Sequence, residues 1–522
     1  MMRMNRRGFL AAVGAGAGTG AVLAGPFSLR ALAGTTARVA GTAATPYTWA
    51  KVIDGGGFCN VVAADPANPG HAAAGGDVWG EHTTASYGNL WTPTMTGAGG
   101  IGDIYARSVA YSLANPGVAY FGIGTLKGGA GKFCAVSGLQ LQVRSRTVGF
   151  GTRLASGAAG SVPRAVGSLI QVDLDLSAGT EYVYALTNRG LARSTDGGRS
   201  WAVLGLTSVP AMAWAALCLA PDGSLYAASY RTSATGGSQV WQVTSPRTVA
   251  AITAVLGTPP VVEDMRTVNG RVLAACGASG LYAVTAGSWS PVASGFFAGC
   301  HLSSVDGLGN LVYVGSATFP KKSQKCIAVS SDGGATFRWS TGAANVSQTV
   351  AGTSRTWWLS NGPTMPGDHY SVSQLAVDRF NPAVCYSAGR AGVWATRNGG
   401  ASWQPAMNGL GGSEVNGLRV GTTGQVFAAD TDWTGIATQD NWQNYARTLS
   451  PGAMAARSLS RTVGGNAYQL VTGVPRDLTL NGSSIADGYF RAACISPTDL
   501  QVSADGHVSV GLFGGGVLVG TP

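Results

Sequence analysis

Three copies of one eight-residue pattern constrain this chain more than any other feature. They read Ser194-Thr195-Asp196-Gly197-Gly198-Arg199-Ser200-Trp201, Ser330-Ser331-Asp332-Gly333-Gly334-Ala335-Thr336-Phe337 and Thr396-Arg397-Asn398-Gly399-Gly400-Ala401-Ser402-Trp403. Each sets a hydroxyl residue within two positions of an Asp or Asn, then two glycines, a spacer, a second hydroxyl and an aromatic. This is the chemistry of a tight strand-to-strand turn. The glycines accept positive φ, the Asx side chain caps nearby N–H groups, and the aromatic packs under the next strand. With 79 glycines and only 11% charged residues in 522, the chain suits many short strands better than long amphipathic helices. The turn reading makes Asp196, Asp332 and Asn398 structural residues, not catalytic ones.

The pattern resembles the Asp-box, a repeat of sialidase-like β-propellers and related carbohydrate-active enzymes. Around it the sequence falls into nine or ten strand clusters separated by Gly, Asp, Asn and Pro, from Val61–Trp91 to Ala492–Val519. The expected fold is all-β, a β-propeller of four-stranded blades with Asp-box turns. It forms either one large ring or one full ring plus a partial second. Residues 49–522 make up the propeller region, with 49–403 as main blades and 404–522 as blades of a possible second half. Ala343–Tyr370 is the least blade-like stretch and reads as an inserted loop over one face.

The N-terminus bears on compartment. Arg6-Arg7-Gly8-Phe9-Leu10, an apolar Ala/Gly-rich stretch to Gly25, and Ala31-Leu32-Ala33 resemble a twin-arginine export signal spanning 1–33. A linker at 34–48 follows, and the protein is expected to be secreted, with no stable membrane insertion after cleavage. Four of the arginines behind the net charge of +10 lie in that segment, so the mature chain is only moderately basic. No long Lys/Arg run appears, and nucleic acid is not an expected partner. The eight cysteines form no C-x-x-C pair and the five histidines are scattered, so neither a metal site nor a cofactor is expected. Cys218, Cys276 and Cys385 sit in apolar runs and read as small buried hydrophobes.

A second-level repeat points to chemistry. Trp49 is followed 28 residues on by Asp77 in Gly76-Asp77-Val78-Trp79-Gly80, and Trp403 is followed 29 residues on by Asp432 in Thr431-Asp432-Trp433-Thr434-Gly435. In both copies an apolar strand leads into an Asp with a Trp close behind. That would set a carboxylate beside a sugar-stacking platform, Trp79 or Trp433. The same pattern also suits an Asx-turn. Trp357 and Trp358, in the 343–370 stretch, are further stacking candidates that equally suit packing under a blade edge.

At these residues the chain resembles glycoside hydrolase family 74, the Asp-box propeller enzymes that cut xyloglucan. The likeness rests on Trp49, Gly55–Phe58, Asp65-Pro66-Ala67-Asn68-Pro69 and Gly75–Gly80, then on Val377–Pro382, Gly409–Gly412 and Thr431–Gly435. Gly75 and Gly76 stand where the family has Arg-Thr, and Arg379 where it has a Pro. The resemblance implies inverting hydrolysis of β-glucan-type links in a polysaccharide or oligosaccharide, with Asp77 matching the general base and Asp432 the general acid. The alternative is a non-catalytic secreted propeller that binds a glycan or protein through the same face. A sialidase ranks third, since the chain lacks that family's Arg-Ile-Pro stretch.

Overall fold

The computed structural model describes residues 47–522 apart from 53–58, 77–80, 94–104, 125–131, 138–143, 147–168, 188–189, 199–200, 207–213, 230–237, 249–250, 255–260, 286–287, 318–325, 341–348, 351–352, 355–371, 390–391, 411–414, 421–425, 431–433, 439–445, 449–459, 464, 472–476, 495–496, 504 and 513–515. The signal-like segment 1–33 and most of the 34–48 linker lie outside them.

The three repeated patterns fold into one turn. Both glycines take positive φ in every copy, 67° and 82° at Gly197 and Gly198, 74° and 94° at Gly333 and Gly334, 68° and 74° at Gly399 and Gly400. The second glycine donates its N–H to the leading hydroxyl, at 2.9 Å in Ser194, 2.7 Å in Ser330 and 3.0 Å in Thr396. That hydroxyl donates in turn to Asp196, Asp332 or Asn398. The aromatics anchor the turn in different ways: Trp201 donates back to Gly198 O, whereas Trp403 reaches Ser340 of the preceding sheet. A fourth copy lies at Thr84–Trp91. There Ser86 stands for the Asp and Tyr87, at φ 57°, for the first glycine, while the Gly88 N–H still donates to Thr84 Oγ1 at 3.2 Å.

These hairpins build ten four-stranded antiparallel sheets and one two-stranded pair among the described residues. Sheets I to VII run through 59–93, 105–146, 169–205, 214–254, 264–292, 302–339 and 372–405. Each lays its four strands side by side in chain order. Their first strands, Cys59–Ala64, Tyr105–Tyr111, Leu169–Ser177, Trp214–Leu219, Asp264–Val268, Leu302–Leu308 and Val372–Val377, touch one another in that order, and the seventh touches the first. Seven sheets therefore close a cycle. The 343–370 stretch contributes the pair Thr349–Val350 and Thr353–Ser354 among the described residues.

Sheets VIII (415–448), IX (460–484) and X (497–521) form a second set. Sheet X is completed from the other end of the chain, because Thr48–Val52 pairs with Gly516–Thr521 in the register Trp49↔Gly520. The Trp49 ring lies so close to Gly520 that a Cβ there would come within 2.6 Å of it. Trp49 also packs edge-on to Phe490 at 4.5 Å, in the short helix Gly488–Ala493. That helix, capped by Asp487, contacts both Thr48–Val52 and the outer strand Thr92–Pro93 of sheet I, which ties the second set to the first.

Adjacent first strands are stitched by one recurrent bond. A polar side chain on one accepts a backbone N–H from the next: Asp264 from Val305, Ser304 from Leu375, Gln374 from Val62, and Asp499 from Leu418. Two residues further along, Asp173 accepts from Leu219 and Asp306 from Val377. The Asp499–Leu418 bond runs in the same sense, so sheet VIII stands next after sheet X, just as sheet I stands next after sheet VII. Buried polar groups are tolerated here because each one satisfies an N–H that a twisted sheet face cannot.

Candidate functional site

The sequence candidates Asp77, Trp79, Trp357, Trp358, Asp432 and Trp433 all lie outside the described residues, but the strands that lead to two of them are described. Ala72–Gly76 is the second strand of sheet I, and Asp77 follows it directly in the sequence. Val426–Asp430 is the second strand of sheet VIII, and Asp432 comes two residues later, before the third strand Thr434–Thr438. Both aspartates thus fall in the same connection, second strand to third, of the opening sheet of their set.

Position 75 has no room for a side chain: a Cβ on Gly75 would meet Ala106 Cβ, in the first strand of sheet II, at 2.4 Å. Glu81 and His82, which lead into the third strand of sheet I, are both fully buried. The Asp-Pro and Asp-Arg turns of the resemblance are caps. Asp65 accepts from the Ala67 N–H and the Asn68 amide, whereas Asp378 accepts from the Phe380, Asn381 and Gly70 N–H groups.

The sequence reading missed a cleft of about 560 Å³ at the far ends of the first strands. Sheets III, IV, V and VII supply its walls, with Asp173, Asp175, Asp222, Arg247, Arg266 and Arg379 as the charged groups. Antiparallel neighbours put first-to-second connections at one end of a sheet and second-to-third connections at the other. The cleft therefore opens at the opposite end of the sheets from the Gly76 end of Ala72–Gly76, the strand that precedes Asp77 in sequence. Its charges are largely paired. Arg247 forks onto Asp175, whereas Arg379 donates from Nη2 to both Asp306 oxygens, at 2.9 and 3.0 Å, and from Nη1 to Gly307 O.

Arg266 differs. It is paired with Asp264, Nε to Oδ1 at 3.6 Å, a contact longer than a hydrogen bond. Burial works against its charge, yet Asp264, Asp306 and Asp173 outweigh that and raise its pKa. Burial likewise raises the Asp173 carboxyl, against the opposing pull of the Leu219 N–H and Arg266. It also pushes the Cys218 thiol in the cleft wall up to about 12, so that sulfur is no nucleophile. The seven cysteines described as free thiols are all buried, as their apolar surroundings imply.

A sequence signal for the cleft existed: polar residues at alternate positions of otherwise apolar strands, as in Gln171-Val172-Asp173-Leu174-Asp175 and Ser304-Val305-Asp306. Such alternation reads as a solvent-facing edge until the strand is known to be innermost.

No family model matches the chain, and no curated protein matches it. Solved structures do. A GH74 enzyme of Niastella koreensis is similar over 89% of this chain and 71% of its own, at 16% identity and a TM-score of 0.59. The fold is a β-propeller. A GH74 xyloglucanase of Xanthomonas campestris aligns over 90% of this propeller and 73% of its own chain, at 17% identity and a TM-score of 0.46. Among the described residues of the propeller, no helix is long and apolar enough to cross a membrane.

Proposed function

We propose that this propeller is a secreted glycoside hydrolase of the xyloglucanase or β-glucanase type, exported through a twin-arginine signal and braced by Asp-box turns. Asp77 serves as general base and Asp432 as general acid. One observation carries the reading: the two aspartates follow the corresponding strand in sheets I and VIII, one in each set of sheets. The likeness to a GH74 enzyme in fold supports it.

In an inverting hydrolysis the base takes a proton from water as that water attacks the anomeric carbon, and the acid gives its proton to the departing glycosidic oxygen. Carboxyl groups about 6.5–9.5 Å apart leave room for the water. Trp79 and Trp433, each two residues or fewer beyond its Asp, stack on sugar rings and hold them against the carboxylates. Trp357 and Trp358 extend the same platform from the 343–370 stretch. The substrate is a neutral β-linked glycan, and no metal or cofactor takes part.

The test separates acid from base. Asp432→Asn is expected to lower hydrolysis of xyloglucan oligosaccharides by on the order of 10²–10⁴-fold, because Asn cannot donate the proton. Aryl glycosides with a good leaving group need less acid assistance and lose less. Asp77→Asn is expected to lose both, since water activation is needed for each. If the wild-type protein binds glycans but releases no reducing ends across a polysaccharide panel, the hydrolase reading falls and a glycan-binding propeller replaces it.

A further inference from the structure

Contacts that join the second set of sheets to the first converge on the last turn of sheet I. The chain leaving sheet VII is laid across that turn. Ala406 donates its N–H to Val393 O at 2.9 Å, and its carbonyl accepts the Trp91 indole N–H at 2.8 Å. Asn408 O accepts the Trp91 backbone N–H at 2.8 Å, while the Asn408 side-chain amide donates to Asn89 O at 2.8 Å. The Leu410 N–H returns to Met407 O at 2.9 Å, which folds the segment into a turn. Met407, Asn408 and Leu410 are all buried. Residues 406–410 are thus held by sheet VII on one side and sheet I on the other.

Gly409 shows how closely they are seated. It takes φ 80°, and a Cβ there would come within 2.3 Å of Trp91 O, a backbone atom with no rotamer to yield. Arg397 donates to Tyr87 O and Asn89 Oδ1 and so braces the turn that receives Asn408. From the other end of the second set, the helix Gly488–Ala493 contacts Thr92–Pro93, the strand that follows Trp91.

The seat lies between the two strands that lead to the candidate aspartates. In sheet I, Thr92–Pro93 is two strands across from Ala72–Gly76, which precedes Asp77, or about 10 Å at the usual strand spacing. On the other side, Val415 opens sheet VIII five residues past Leu410, and its second strand Val426–Asp430 precedes Asp432. Strands of five or six residues are about 17–20 Å long, so a tilt of about 3° at the seat moves their far ends by about 1 Å. Misplacing reacting groups by about 1 Å costs on the order of 10²-fold in rate.

We propose that residues 406–410 are a rigid joint, with Asn408 as its positioning residue, that fixes the second set of sheets against sheet I and thereby sets the Asp77–Asp432 separation. The effect on catalysis rests on the hydrolase reading, whereas the joint itself does not.

The experiment uses the full chain, spin-labelled at Ala114→Cys, exposed on a turn of sheet II, and at Ser483→Cys, exposed on the last strand of sheet IX. A Cys134→Ser background leaves only the seven buried thiols besides the labels. Pulsed electron resonance then reads the distance between the two sets, and the labelled parent is expected to give one narrow distribution. Asn408→Ala, which cuts the tie to Asn89, is expected to broaden it, and Gly409→Ala, which drives a Cβ against Trp91 O, to shift its mean by about 2 Å or more. Without labels, both variants are expected to lose about tenfold or more in kcat on xyloglucan oligosaccharides and on aryl glycosides, with KM changed less than about threefold. Asp332→Ala, far from the seat in sequence and confined to its own turn, is the control for mere destabilisation: it is expected to lower the melting temperature and leave both the distance and kcat as they are. If Gly409→Ala fails to fold, Asn408→Ala decides. Distances unchanged in both variants overturn the joint, and altered distances with unchanged kcat overturn its role in catalysis. If the wild-type protein releases no reducing ends, the hydrolase reading falls and the distances alone decide the joint.

Discussion

Asp306→Ala tests whether the bonds between first strands hold the cycle together. Asp306 is 2% exposed, and its carboxylate accepts the Val377 N–H of the next sheet at 2.8 Å, its neighbour Gly307 N–H at 2.8 Å, and Arg379. Truncation leaves the Val377 N–H without an acceptor between two first strands, which costs about 1–3 kcal/mol. The Gly307 N–H has a weaker local claim, about 1 kcal/mol. The Arg379 side chain is 35% exposed, so solvent screens the lost pair and it adds only about 1 kcal/mol. The expected total is about 3–5 kcal/mol. Asp306→Asn keeps an acceptor for Val377 and is expected to lose only about 1–2 kcal/mol. Urea unfolding gives the totals. Hydrogen exchange of the peptide 372–377 reports the strand directly and is expected to speed up in the Ala variant before global unfolding begins. A double cycle with Arg379→Ala isolates the ion pair. A loss below about 1 kcal/mol in Asp306→Ala, or equal losses in Ala and Asn, would refute the view that this carboxylate closes the seam.

Asp332→Ala is expected to lower the melting temperature without reducing glycan hydrolysis, because Asp332 accepts from Ser330, Ala335 and Thr336 within its own turn; a normal melting temperature with lost activity would contradict its structural role. Gly400→Ala forces a Cβ onto a residue at φ 74° and within 2.5 Å of Val329 Cγ2, with an expected loss of about 2–4 kcal/mol by urea titration. Hydrogen bonding from Ser503 lowers the Asp505 pKa to about 2, with His507 contributing. A folded pKa below the unfolded one gives stability that is present above pH ~4 and lost as pH falls toward the folded value. The stability gap between wild type and Asp505→Asn should therefore be constant near neutrality and close between pH ~4 and ~2; a gap that widens with acid would show the sign to be wrong.

The sequence by itself determined what is local. Two glycines after an Asx and a hydroxyl fix a turn, because only glycine takes two successive positive φ values cheaply and the side chains that cap it lie within four residues. Alternating apolar residues between such turns fix strands, and repetition of both fixes a stack of four-stranded sheets. The degenerate copy at Thr84–Trp91 escaped because Ser86 and Tyr87 replace the residues that identify the turn, although the Thr84–Gly88 bond survives. The repeated pattern that carries Asp77 and Asp432 was legible in the sequence, and the described strands that precede them, Ala72–Gly76 and Val426–Asp430, are both second strands of their sheets.

What only the tertiary structure decided is what depends on partners far apart in sequence. Closure after seven sheets rests on the contact of Val372–Val377 with Cys59–Ala64, and the Gln374–Val62 bond joins residues 312 apart. The Trp49 segment, which reads from the sequence as the opening of the main blades, instead completes sheet X by pairing with Gly516–Thr521. The cleft draws its arginines from three sheets, and Asp173, Asp264 and Asp306 take their meaning from the N–H groups of the next strand. No local preference encodes these pairings. A strand's edge and face offer the same donors and side chains to any neighbour, and the neighbour is chosen only when the whole set of sheets packs and each buried polar group finds its partner.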